Sequence, residues 1–255
     1  GSKELPGAAL LAGKSAFRSG AGWVNIAVLD TLQPHLIGAF PEATWLPLPG
    51  NTSGLNQNSA KAIHQGMSKE TAILVGPGLG MEVGAQEFIS ELISQKLPPM
   101  TIDADGLKLL SKIDEWWKKI PETSILTPHP GEMNILTGLK ISEIQEDRIG
   151  VAEKFASLWG HIVVLKGAFT VVAEPGGKTA ILPIATPALA RAGTGDVLAG
   201  IITGLRAQGI PAFNAAAAGV WFHAQAGLAA AEVLGSTAGV LAGDLIDMLP
   251  ALLPN

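Results

Sequence analysis

Four short apolar runs constrain the architecture most: Thr71-Ala-Ile-Leu-Val75, Met100-Thr-Ile102, Ser124-Ile-Leu126 and Ile162-Val-Val-Leu165. They lack the apolar–polar alternation of a half-exposed strand, so each reads as a strand covered on both faces. Helical patterns lie between them, at residues 82–95, where Phe88, Ile89 and Leu92 share a side, and at 141–159. Strands joined through helices build a largely parallel sheet with helices on both faces. The expected fold class is therefore α/β, a three-layer α/β/α sandwich around a mostly parallel central sheet. Outside this frame, residues 7–19 read as a helix stopped by Gly20 and Gly22, 23–28 as a strand, and 31–40 as a short helix. Residues 41–50 read as a Pro-punctuated connection and 59–67 as a helix. Residues 170–173 and 179–183 form a hairpin about Pro175-Gly-Gly177, and from the next glycine-rich stretch to Leu253 the chain is helical. Without a break in composition, a linker or a repeat, residues 1–255 read as one domain.

A sheet of this kind binds ligands beyond the carboxyl ends of its strands. Each unusual loop follows a strand: Gly76-Pro-Gly-Leu-Gly80, Asp103-Ala-Asp105, Thr127-Pro-His-Pro-Gly-Glu132 and Lys166-Gly167. All four should open on one rim. The sharpest feature is Arg191-Ala-Gly-Thr-Gly-Asp-Val-Leu-Ala-Gly200, a glycine-rich turn that runs into an apolar helical pattern with one carboxylate at the junction. Gly193 and Gly195 let backbone approach a ligand, and the amides of Thr194 and Gly195 open a helix whose free N–H groups suit phosphate. Asp196 beside them can take a proton from an alcohol while the amides hold the phosphoryl group it attacks. Plainer readings stand beside these. Asp196 and Asp105 could be helix N-caps, Gly76-Pro-Gly a tight turn, His129 a structural histidine and Lys166 a lysine that merely ends a strand.

Composition removes several classes. With 17 basic and 22 acidic residues the net charge is −5, and no Lys/Arg run offers a nucleic-acid surface. There is no cysteine, which excludes disulfides and thiolate chemistry and is compatible with a reducing cytoplasm. Five scattered histidines argue against zinc. Residues 207–231 carry no formal charge, but alanine, glycine, Pro211 and Asn214 mark a buried pair of helices rather than a membrane span. P-loop, Gly-x-Gly-x-x-Gly and Gly-x-Ser-x-Gly patterns are all missing. Phosphate held by glycine amides, with an acid alongside, is what remains.

The segment Ala192-Gly-Thr-Gly-Asp-Val-Leu-Ala-Gly200 resembles the Gly-(Thr/Ser)-Gly-Asp signature of the ribokinase-like superfamily, in which the Asp is the base and the preceding amides form an anion hole. Pro6-Gly-Ala-Ala-Leu10, Arg18-Ser-Gly-Ala-Gly22, Val75-Gly-Pro-Gly-Leu79, Ile102-Asp-Ala-Asp-Gly106, Leu126-Thr-Pro-His-Pro-Gly-Glu132 and Val164-Leu-Lys-Gly-Ala168 narrow the resemblance. In this order they resemble the ADP- or ATP-dependent NAD(P)H-hydrate dehydratases, lyases of metabolite repair that restore the S epimer of hydrated NADH and NADPH (NADHX, NADPHX). The resemblance covers nearly the whole chain, and the loop with His129 is its most discriminating part.

It implies that Gly193, Thr194, Gly195 and Asp196 are catalytic, and that Ala8, Gly78, His129 and Asp196 hold the hydrated dinucleotide. ADP or ATP would lie along Lys166, Gly167, Ala168, Phe169 and Thr170 and against Gly195. Mg²⁺ would bridge the phosphates, without a confident protein ligand, Asp103 and Asp105 being at most outer-shell helpers. A cytoplasmic homo-oligomer, preferably a tetramer, fused to or working with an NAD(P)H-hydrate epimerase, is implied as well. The choice between ADP and ATP, and between NADHX and NADPHX, is left open.

Two features depart from the family pattern. The family's first strand ends in a Gly-Ser turn, and this chain opens at Gly1-Ser2, so a native N-terminal segment is expected to be lacking, with the edge next to 23–28 unpaired or otherwise covered. Gly1-Ser2 would equally fit a remnant of cloning. Ile184-Ala-Thr-Pro-Ala-Leu-Ala190 stands where many members carry an Asn-x-Thr-Gly-Asn approach. The competing readings are a ribokinase-like kinase of a hydroxymethylpyrimidine or hydroxyethylthiazole, and a non-catalytic nucleotide-binding regulatory module.

Overall fold

A computed structural model describes residues 2–51 and 54–253; Gly1, half of the Gly1-Ser2 pair, lies outside the described residues. In chain order the elements are α1 (Gly7–Arg18), β1 (Asn25–Leu29), α2 (Gln33–Leu36), β2 (Thr44–Leu48), α3 (Gln57–Gly66), β3 (Ile73–Val75) and α4 (Val83–Leu92). There follow β4 (Met100–Ile102), α5 (Asp105–Leu110), β5 (Ile125–Leu126), α6 (Pro130–Thr137), α7 (Ile141–Glu146), α8 (Arg148–Trp159) and β6 (Ile162–Leu165). The hairpin β7 (Val171–Ala173) and β8 (Thr179–Ile181) precedes α9 (Thr194–Ala207), α10 (Ala212–Leu234) and α11 (Ala242–Leu252).

The main sheet has the order β3-β4-β5-β6-β7-β8, parallel from β3 to β6 and antiparallel through the hairpin. Strand β6 shows why its sequence does not alternate. Val163 and Leu165 pack with Phe88, Leu107 and Phe155 of α4, α5 and α8, whereas Ile162 and Val164 pack with Leu198, Ile202 and Phe213 of α9 and α10. Both faces are apolar because both are covered, and each large side chain buried there contributes about 1.5–3 kcal/mol. The three-layer α/β/α expectation holds.

Three details differ from the sequence reading. Residues 44–48, expected as a connection, form β2, parallel to β1. Proline survives in it because a strand at a sheet edge need not donate from every N–H. The helix expected at 141–159 is two helices: Asp147 has non-helical backbone and accepts from the Gly150 N–H at 2.8 Å, capping α8. Residues 207–231 hold the last residue of α9, a turn and most of α10, rather than a buried pair of helices. Trp221 and Leu228 of α10 are exposed. No helix among the described residues is long and apolar enough to cross a membrane.

Strands β1 and β2 form a separate two-stranded sheet. Between β1 and β3 lies a cleft of about 350 Å³ whose apolar lining includes Ile26, Ala27, Leu46, Ile73 and Leu74. Among the described residues β1 pairs with β2 alone.

Helix α1 bridges this division. It packs along α9 with backbone close to backbone, because Gly200 lies over Ser15 and the Ala12 carbonyl, and Gly204 over Ser19 and the Ala16 carbonyl. A Cβ at Gly200 would run into main-chain atoms that cannot swing aside. Gly200→Ala is expected to cost about 1–3 kcal/mol through overpacking and to lower Tm by several degrees. The exposed Gly22→Ala, with open space at its Cβ, should stay within about 0.5 kcal/mol of the parent. Equal melting of the two variants would show that α1 and α9 are not in close contact.

Candidate active site

The carboxyl ends of β3, β4, β5 and β6 and the N-terminus of α9 meet around one cation. Lys166, at the end of β6, places its Nζ on the Asp103 carboxylate at the end of β4 and 3.6 Å from Glu132 Oε2 in the first turn of α6. Burial works against the charge, but Asp103 and then Glu132 outweigh it and hold the Lys166 pKa above its usual value, with Asp196 adding to the effect. Main-chain bonds align the strand ends. The Lys166 N–H donates to the Pro128 carbonyl at 2.8 Å, and the Asp103 N–H to the Val75 carbonyl at 3.1 Å. Asp105 accepts from the Gly80 N–H at 3.0 Å and from Lys108 Nζ at 2.9 Å. Both plainer N-cap readings fail, since Ala104 caps α5 and Gly193 caps α9, leaving Asp105 and Asp196 inside the first turns.

Gly193 has φ 86°, a left-handed conformation that a residue with a Cβ resists, and it swings the chain into α9. Thr194 is then fixed by its hydroxyl, whose one proton is shared between the carbonyls of Leu189 and Arg191, each at 2.8 Å. A Cβ on Gly195 would lie 3.7 Å from Lys166 Nζ and 3.8 Å from Asp103 Oδ2, which puts the α9 N-terminus directly against the ion cluster. One residue on, Asp196 is half-buried. Burial first, then the Asp103 charge, lift its carboxyl from 3.8 to about 6; Lys166 pulls it down and Asp105 pushes it up.

His129 caps α6. Its Nδ1 accepts from the N–H groups of Gly131 (2.9 Å) and Glu132 (3.3 Å), while Glu132 accepts from the His129 N–H at 2.8 Å. With Nδ1 an acceptor, the neutral ring carries its proton on Nε2, 3.4 Å from Glu132 Oε1. The histidine is thus structural at one nitrogen and exposed to solvent over its remaining surface. Ala8 and Gly78 also come together, since a Cβ on Gly78 would stand 3.0 Å from that of Ala8.

Lys166 to Thr170 forms a tight loop in which the Thr170 hydroxyl donates to the Gly167 carbonyl at 2.9 Å. Gly167, Ala168 and Phe169 are exposed. Behind the loop, Arg148 donates to the Leu165 carbonyl at 2.8 Å. Glu132, Arg148 and His223 are the residues that sequence reading did not single out. The His-x-x-Glu spacing of a capping box could have found Glu132; nothing local marks the other two. Among the described residues no three His, Asp or Glu side chains are arranged to hold a metal ion.

A family profile described as NAD(P)H-hydrate dehydratase matches residues 1–251. The bifunctional NAD(P)H-hydrate repair enzyme Nnr of Salinibacter ruber is 42% identical over 98% of this chain and 46% of its own length. The chain spans about half the length of the bifunctional relatives it matches. A crystal structure of the ADP/ATP-dependent NAD(P)H-hydrate dehydratase from Bacillus subtilis, co-crystallised with ATP/Mg²⁺, superposes with TM-score 0.81 at 33% identity, over 99% of this chain and 86% of that one. A ribokinase-like superfamily protein from Enterococcus faecalis shares the fold, with TM-score 0.80 at 24% identity over 98% of this chain and 83% of that one.

Two outcomes follow from the electrostatics. The folded-state pKa of Asp196 lies above the unfolded one, so the stability tied to its protonated form is complete below about 3.8 and is lost as pH rises through about 6. Asp196→Asn should therefore raise Tm at pH 8, by an amount that shrinks toward pH 4. In Lys166→Met the Asp196 carboxyl, followed by ¹³C NMR, should titrate above its present value because the one charge that lowers it is gone. An unchanged or lower midpoint would place the cation elsewhere.

Proposed function

The chain belongs to the NAD(P)H-hydrate dehydratase family, and from that premise we propose that residues 1–255 act as one catalytic unit, a hydro-lyase that returns the S epimer of NADHX and NADPHX to NADH and NADPH with ADP or ATP as phosphoryl donor. The observation that carries this reading is the half-buried carboxyl of Asp196, raised to about 6, in the first turn of α9 beside Lys166. Near neutral pH such a group is ionised yet basic enough to take a proton in the transition state.

In the proposed reaction Asp196 removes the proton of the C6 hydroxyl, and the oxygen forms a bond to the terminal phosphorus while the bond to the leaving AMP or ADP breaks. The amides of Thr194 and Gly195, which open α9 after the Gly193 turn, are assigned to the charge that develops on the phosphoryl oxygens, with the Thr194 N–H shared with the Arg191 carbonyl at 3.3 Å. The ring-nitrogen lone pair then expels phosphate from C6, and loss of a C5 proton restores the dihydropyridine. Phosphate leaves where hydroxide would not, so the kinase-like step ends in net dehydration. Ala8, Gly78 and His129 are assigned to the hydrated dinucleotide, and Lys166, Gly167, Ala168, Phe169, Thr170 and Gly195 to the adenine nucleotide.

Asp103 and Glu132 already share Lys166, and the described residues supply hard oxygen donors but no metal cage. These donors fit a Mg²⁺ ion carried on polyphosphate, with Asp103 and Asp105 as outer-shell partners. When bound, the ion neutralises phosphate charge. The co-crystallisation of the Bacillus relative with ATP/Mg²⁺ supports this assignment.

A cytoplasmic homo-oligomer, by preference a tetramer, is part of the same proposal. Exposed Trp221, Leu228 and Val233 of α10, with Leu241, support it. The bifunctional relatives support work beside, or fused to, an NAD(P)H-hydrate epimerase. Light scattering should give a mass several times that of the chain; a monomer at micromolar concentration would refute the assembly.

Incubation with NADHX, Mg²⁺ and either ADP or ATP should regenerate the NADH absorption band. Asp196→Asn should lose turnover by several orders of magnitude while adenine-nucleotide affinity, read by calorimetry, survives. In the parent protein log(kcat/KM) should rise with pH below about 6 and level off above it, as a base with the Asp196 pKa requires. Near-normal activity of Asp196→Asn would end the assignment, and accumulation of a stable phosphorylated product would mark a kinase instead.

A further inference from the structure

The peptide joining Thr194 to Gly195 is held from below by a side chain outside every motif above. His223, buried on α10, has its Nε2 2.8 Å from the Thr194 carbonyl oxygen. A carbonyl can only accept, so Nε2 carries the ring proton and donates. The neutral ring is the form this position favours. Burial depresses its pKa to about 4, although the bond to Thr194 works in the other direction and the Lys166 charge adds to the fall.

The approach is built into α10. Gly219, His223 and Gly227 are spaced i, i+4, i+8 and so lie along one face. A Cβ at Gly219 would come within 2.5 Å of Ile202 Cγ1 on α9, and one at Gly227 within 2.5 Å of Leu189 Cδ2 in the turn leading to α9. Two residues without side chains bring the helix close enough for the ring between them to reach the first carbonyl of α9. That carbonyl belongs to the same peptide unit as the Gly195 N–H. A hydrogen bond accepted at the oxygen polarises the unit and makes its N–H a stronger donor. It also opposes rotation of the peptide plane, which the Thr194 hydroxyl restrains from the side of Leu189 and Arg191.

From this geometry we infer that His223 is a positioning residue, which fixes and polarises the Thr194–Gly195 peptide so that the Gly195 amide meets the transferring phosphoryl group. The inference rests on the reaction proposed above, and the test separates the two.

The full chain is compared with His223→Phe, which fills the site without a donor, and His223→Gln, whose amide can donate in place of Nε2. Turnover of NADHX with Mg²⁺ and ADP, Mg·ADP affinity and Tm are measured for all three. His223→Phe is expected to lose at least tenfold in kcat with less than a threefold change in KM for NADHX, and His223→Gln to recover most of that loss at a similar Tm. A kcat for His223→Phe within twofold of the parent, or equal losses in the two variants, overturns the inference.

If the parent itself fails to turn over NADHX, the proposed function falls, and Mg·ADP affinity decides alone. Weakening in His223→Phe with recovery in His223→Gln supports the role, and equal affinity in both overturns it. If His223→Phe does not fold, ¹⁵N NMR of the parent reads the ring directly. A proton on Nε2 of a neutral His223 from pH 6 to 9 is expected; an unprotonated Nε2 overturns the inference.

Discussion

The site depends on one ammonium group that three parts of the chain must share. Lys166 ends β6, Asp103 ends β4 and Glu132 opens α6, and burial makes each charge costly without the others. At 4 Å, opposite charges near a protein surface attract by about 4 kcal/mol at an effective dielectric constant of 20, enough to offset much of the desolvation. One cation among several acids does not fully serve the last of them. Burial lifts the Asp196 carboxyl most; the group sits within the Lys166 field but without a direct bond to it, and Asp103 repels it. The arrangement that fastens the strand ends therefore adds to burial in leaving one carboxyl with a raised pKa, so structural and chemical roles share an electrostatic origin.

That arrangement is kept in register by close helix packing. Helix α9 carries Asp196 at its start and, about one and two turns on, Gly200 and Gly204, which admit α1 to within backbone contact. At the head of α1 lies Ala8 against Gly78. A shift of α1 along α9 would thus move the surface assigned to the dinucleotide relative to the base.

Much of this was legible in the sequence. The core strands could be read because burial on both faces erases alternation, and Ile162 to Leu165 shows each face meeting its own helix layer. The rim of loops followed from strand direction, and Asp103, Lys166, Gly195 and Asp196 do converge. Pro47 concealed β2, since proline argues against a strand unless the strand lies at an edge. The break at Asp147 was missed because an apolar period can continue across two helices that share a face. His223 was invisible for a different reason: its meaning lies in a carbonyl 29 positions away, which no local pattern records.

The division between the two sheets has a bearing on how the molecule opens. A two-stranded ribbon has little stability of its own, so β1 and β2 stay folded through the side chains that α1 and α2 lay over Ile26, Val28 and Phe40. Among the described residues no ladder of main-chain bonds transmits the cooperativity of the six-stranded sheet to them. Leu29 and Leu48 tie them through side chains to the main core beside Val75 and Phe88, and without a shared ladder their amide protons are expected to meet deuterium sooner than those of β4 to β6.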